Sequence, residues 1–124
     1  MASTSDIHSL EKKSLEQPDE TRTFDNGKVD VVTVGGVGVG RFTLRPGWRW
    51  SENVKPIVKT DSCQVTHLGL VTSGRLRVRM DDGREVVQGP GDVAAVPAGH
   101  DAWVDGNEEV VLLDFVGATN YAKT

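Results

Sequence analysis

The chain has 124 residues, 37% of them hydrophobic and 26% charged, and a formal net charge of −4 at pH 7. That length suits one domain, able to bury roughly two-thirds of the surface its unfolded chain exposes. The acidic balance without a basic block excludes the footprint of a nucleic-acid binder, and no stretch reaches the ~20 apolar residues of a membrane span.

Residues 1–20 are polar and thinly apolar, with Ile7, Leu10 and Leu15 spaced for at most a short helix. Isolated helices of that length are marginal in water. The expectation is a flexible N-terminal arm. No signal-peptide pattern opens the chain, and its lone cysteine, Cys63, cannot close an internal disulfide. A reducing cytoplasm is the expected compartment.

From residue 21 the apolar period becomes two, the period of a strand with one buried face. Residues 21–24 and 28–34 flank Asp25-Asn26-Gly27, a hairpin signal. Gly35, Gly36, Gly38 and Gly40 then interrupt the pattern. No helix pattern follows them, so the spacing predicts a bulged or bent strand rather than a phosphate loop. Residues 41–44 alternate, Pro46-Gly47 turns the chain into Trp48-Arg49-Trp50, and 51–60 read as irregular. Strands are predicted over 65–72, 75–80, 85–88, 93–96, 102–104 and 110–116, divided by Ser73-Gly74, Asp81-Asp82-Gly83, Gly89-Pro90-Gly91-Asp92 and Pro97-Ala98-Gly99. In 75–80 the alternation places Leu76, Val78 and Met80 on one face, and Arg75, Arg77 and Arg79 on the solvent face. Nine or ten short strands with closely spaced turns point to an all-β, double-sheet jelly-roll barrel over 21–118, with 119–124 as a tail.

The segment 91–100, Gly-Asp-Val-Ala-Ala-Val-Pro-Ala-Gly-His, resembles the second sequence motif of the cupins. His67 to Gly74 resembles the end of the first cupin motif, and with the linking hairpin the resemblance covers roughly residues 40 to 116. It implies a double-stranded β-helix, and a homodimer, since such barrels commonly pair through sheet edges. A typical cupin presents His-x-His, then Glu, then a His in motif two as metal ligands. By that pattern His67 stands in the Glu slot, with six residues between it and Gly74, while Asp61 and Cys63 fall on the His-x-His slots. His100 directly follows Gly99, so a two-residue deletion in that turn would bring it to the motif-two slot.

Asp61, Cys63 and His67 share strand parity and would face the interior together if that strand is regular. With His100 they would suit zinc, nickel, iron or copper better than magnesium. Each has a plainer reading: a hydrogen-bonded interior His67, a loop His100, a buried apolar Cys63, a turn Asp61. Trp48 and Trp50 precede motif one and Trp103 follows motif two, so the three would wall a pocket for a flat or apolar ligand. Two functions follow. One is a metal-dependent cupin enzyme on an organic acid, carbonyl or enol compound, with His67 as general base or ligand and His100 assisting. The other is a non-catalytic module that senses a small molecule without metal.

Overall fold

Alternation of apolar and polar residues builds nine strands in the computed structural model, which describes residues 7–123. They are β1 (Glu20–Phe24), β2 (Gly27–Val34), β3 (Val37–Leu44), β4 (His67–Ser73), β5 (Leu76–Met80), β6 (Glu85–Gln88), β7 (Val93–Val96), β8 (His100–Val104) and β9 (Val110–Asp114). Six pair in the order β1-β2-β3-β9-β4-β7 and three in the order β6-β5-β8, all antiparallel. The jelly-roll expectation holds. The inner faces meet in one core that includes Val29, Leu44, Val71, Leu76, Val78, Val104 and Val110. Burying each such side chain contributes about 1.5–3 kcal/mol.

The glycines between residues 35 and 40 do something other than bulge a strand. Gly35 and Gly36, at φ 59° and 76°, form the β2–β3 turn. The β2–β3 register then runs unbroken from Gly27↔Leu44 to Val34↔Val37. Within β3, a Cβ on Gly38 would strike Thr119, and one on Gly40 would strike Ala118. Those contacts belong to a short 3-10 helix, Ala118–Asn120. The glycines therefore leave room for the C-terminal segment to lie against the sheet. Tyr121, assigned to a tail by sequence, is 4% exposed and belongs to the core.

Residues 51–60 are also more ordered than their pattern indicates. They form two single-turn helices, α1 (Trp50–Asn53) and α2 (Lys55–Val58). The Asp101 carboxylate on β8 accepts from the Ser51 amide at 3.1 Å, and α1 thereby carries Trp50 inward, 2% exposed. So short an element is stabilised by that tertiary contact rather than by propensity. The N-terminal arm contains no helix over residues 7–19, and residues 1–6 lie outside the described part. The arm is nevertheless tied down. Glu11 accepts from the Gly35 amide, Asp19 accepts from the Thr33 amide, and the Asp19 amide donates to Val31. No described helix is long and apolar enough to cross a membrane.

Candidate metal centre and inner cavity

Strand parity puts His67, Gly69 and Val71 of β4 on the inner face, and likewise Val110, Leu112 and Asp114 of β9. Asp114 is paired across the sheet with Gly40 on one side and Gly69 on the other. Two neighbours without side chains leave space for the carboxylate and for the ring that meets it. His67 Nδ1 lies 2.5 Å from Asp114 Oδ2, and Asp114 Oδ1 accepts from the Val116 and Gly117 amides at 2.9 and 3.1 Å. Asp114 is fully buried. Burial pushes its carboxyl up, but the bond and charge of His67, with the two amides, outweigh it and hold the group below its ordinary value. The Asp114 carboxylate accepts from His67 Nδ1–H, which turns Nε2 toward the centre.

His100 opens β8, 3% exposed, and its Nδ1 donates to the Pro97 carbonyl at 2.8 Å. Burial lowers its pKa, only partly offset by the Pro97 carbonyl and the nearby Asp101 and Asp81. The ring is therefore neutral at pH 7, again with Nε2 as the available nitrogen. Cys63 is held beside it by backbone bonds: its amide donates to His100 O, and the Gly99 amide donates to Cys63 O, both at 2.7 Å. Burial pushes the Cys63 thiol up to about 11. Its Sγ lies 3.9 Å from His67 Nε2, and the rings of His67 and His100 are 5.3 Å apart.

One donor atom from each of Cys63, His67 and His100 falls within 4.8 Å of the other two. A tetrahedral ion with nitrogens at ~2.0–2.1 Å and sulfur at ~2.3 Å needs its donors about 3.3–3.8 Å apart, a small contraction from this arrangement. Both imidazoles are already oriented by an acceptor on the far nitrogen, as metal-ligating histidines usually are. A bound cation would also reverse the thiol's preference for its proton. The donor set fits a transition metal with one position left open.

The sequence expectations divide here. The structure brings Cys63, His67 and His100 together. Asp61 is exposed and stands apart, because residues 61–66 are irregular and strand parity does not pass through them. Trp48 and Trp50, each 2% exposed, line a cavity of about 40 Å³ between the sheets, together with His67, His100, Phe42 and Tyr121. Trp103 does not join them. Its parity on β8 is opposite to that of His100 and Ala102, so it faces outward, and the Arg49 guanidinium covers its ring at 4.1 Å. Cys63 opens instead onto a second cavity of about 170 Å³, and Trp50 and Tyr121 line both. Asp114 and Tyr121 are the cavity-lining residues that sequence reasoning missed. For Asp114 a signal existed: a single acid on the apolar parity of 110–114.

No protein-family model matches the chain, and no curated protein matches it. Solved structures do. A sugar phosphate isomerase of the cupin superfamily from Silicibacter pomeroyi is 22% identical with TM-score 0.59, covering 84% of this chain and 73% of that one. A cupin-like protein from Thermotoga maritima is 16% identical with TM-score 0.54, covering 78% of this chain and 73% of that one. An oxalate decarboxylase from B. subtilis is 18% identical with TM-score 0.57 over 93% of this chain, which corresponds to 32% of that protein. At such identities the likeness establishes architecture, and the chemistry rests on the residues themselves.

Proposed function

This chain has the cupin fold, and from its inner site we propose that it binds one small organic molecule beside a divalent transition metal held by Cys63, His67 and His100. The observation that carries the reading is the shared orientation of the histidines: each Nδ1 is bound to an acceptor, Asp114 or Pro97 O, leaving Nε2 for the centre. The metal is zinc, nickel, iron or copper by donor type. When bound, it supplies Lewis acidity to a carbonyl or enol oxygen, the substrate class being an organic acid, carbonyl or enol compound.

The protein's own contributions follow from its geometry. Asp114 holds His67 in one tautomer and stabilises positive charge on that ring. Trp48, Trp50 and Phe42 exclude water from the cavity, which strengthens every polar contact inside it. Tyr121 keeps its proton, since burial raises its phenol well above the ordinary value. We also propose a cytoplasmic homodimer, the lone free thiol supporting a reducing compartment.

One observation favours a second reading, a non-catalytic binding module without metal. The Cys63 thiol, at about 11, is protonated at neutral pH unless a cation displaces the proton. In that case His67 Nε2, backed by Asp114, is a hydrogen-bonding or basic group. Elemental analysis of native protein with His67→Ala as control separates the two. The metal reading expects near-stoichiometric metal in the native protein, its loss in the variant, and a lower Tm through linkage. Metal in neither sample leaves the metal-free module.

A further inference from the structure

Strand β6 is folded against its own polarity. Val86 and Val87 are 53% and 42% exposed, while Gln88 is 4% exposed and lines the inner cavity. Val86 and Gln88 share the face that pairs with Val78 and Leu76, and on that face it is the glutamine that is enclosed. A polar residue at an inward position breaks the binary pattern of a stable core, and such breaks concentrate at functional sites. Among the described residues nothing hydrogen-bonds the Gln88 side-chain amide. Trp48, which lines the same cavity, has a buried indole Nε1–H that likewise lacks a partner.

These groups belong to one level of the barrel. Gln88 pairs with Leu76, Leu76 pairs with Val104, and the Val104 amide donates to the Trp48 carbonyl. His100 pairs with Met80 at the other end of β8, four residues away, about 13 Å along the strand. The cavity thus has a histidine end and a Gln88–Trp48 end, with Val78 and Ala102 on the wall between. Buried polar groups are normally satisfied, and a buried indole N–H without a partner on the same row as a cavity-lining amide calls for a common acceptor.

Resting on the reading of this cavity as a ligand site, we propose that Gln88 and Trp48 form a specificity site for a neutral oxygen acceptor. The ligand group held at this end is a carbonyl, carboxamide or enol oxygen, not a carboxylate. An oxygen of the ligand accepts from the Gln88 amide and the Trp48 indole, Gln88 Oε1 accepts from a ligand hydroxyl where one is present, and the rest of the ligand extends toward the histidines. Among the described residues no lysine or arginine lines the cavity, so a carboxylate at the Gln88–Trp48 end, away from the histidines, would lose its hydration without a countercharge. The volume of about 40 Å³ is roughly that of three waters by the same measure, which limits the ligand to a few heavy atoms.

Acetone, acetamide and acetate are the probes, titrated into isotope-labelled protein while the Trp48 indole and Gln88 side-chain NH₂ resonances are followed. Acetone and acetamide should shift both sets and acetate should not. Gln88→Leu should weaken acetamide at least tenfold while leaving metal content unchanged, and its Tm should stay level or rise because an unpaired amide has been removed. Equal binding of acetate, unchanged acetamide binding in Gln88→Leu, or no shift with any probe (an enclosed water only) each overturn the proposal. If the leucine variant fails to fold, the acetamide-against-acetate difference in the native protein still decides. Metal content measured on the same samples keeps the two readings apart: absent metal with intact probe binding rejects the metal centre alone.

Discussion

Asp114 is the residue on which most of the site turns, and removing its charge is a direct test. Asp114→Asn keeps the shape but replaces the carboxylate that fixes the His67 proton. We expect metal affinity to fall 10–100-fold, as for other partners of metal-ligating histidines, and stability to fall by about 2 kcal/mol. Metal titration and urea unfolding measure the two effects. Gly117 is equally exacting for a steric reason. A Cβ there would strike the Thr66 carbonyl and come within 3.0 Å of His67 Nδ1. Gly117→Ala should therefore push His67 off Asp114 and cost about 1–3 kcal/mol in thermal unfolding. Neither residue was conspicuous in the sequence. Asp114 is one acid inside the apolar run 110–116, and the need for Gly117 arises from His67, fifty residues earlier. His67, His100 and Cys63 were legible because motif spacing reports on strand ends. Asp61 and Trp103 were misread: one lies beyond an irregular segment that parity cannot cross, and the other has the outward parity of β8.

At the scale of elements, alternation and turn glycines located all nine strands to within a few residues. What they could not show was packing between distant segments. Gly38 and Gly40 looked like strand breakers because their partners, Ala118 and Thr119, lie nearly eighty residues away. The turns α1 and α2 went unseen because four residues carry too little periodicity, and α1 is tied down by Asp101. The N-terminal arm allows a pH prediction. The Glu11 carboxyl is held below its ordinary value by the Ser9 hydroxyl and the Gly35 amide, and Asp19 by Lys13 and the Thr33 amide. Groups whose folded pKa is depressed lose their contribution as pH falls through it. The arm should loosen below about pH 4, the ordinary carboxylate range, while the barrel stays folded. Lower protection factors at Gly35 and Thr33 at pH 3 than at pH 5, once the slower intrinsic exchange is allowed for, with Val71 still protected, are the expected result.

The whole molecule leaves an apolar surface uncovered on the outer face of β7, β4 and β9. Val93, Leu68 and Phe115 are 66%, 40% and 42% exposed there, and β7 ends its sheet. Exposed apolar clusters beside a free strand edge are where chains associate. We expect native protein to be a homodimer that forms on this face, and Leu68→Asp to be a monomer, by light scattering at micromolar concentration. A variant that remains dimeric would place the interface elsewhere.

Trp50 and Tyr121 each border both the inner cavity and the outer, Cys63-lined one. Two rings forming a party wall turn entry into a question of time rather than strength. We expect a ligand passing between the two chambers to wait for an aromatic side chain to swing, inward and outward alike. The partition should therefore slow arrival and departure together and leave their ratio nearly untouched. Tyr121→Leu, thinning the wall without emptying it, should raise both rates in stopped-flow fluorescence and barely move the dissociation constant.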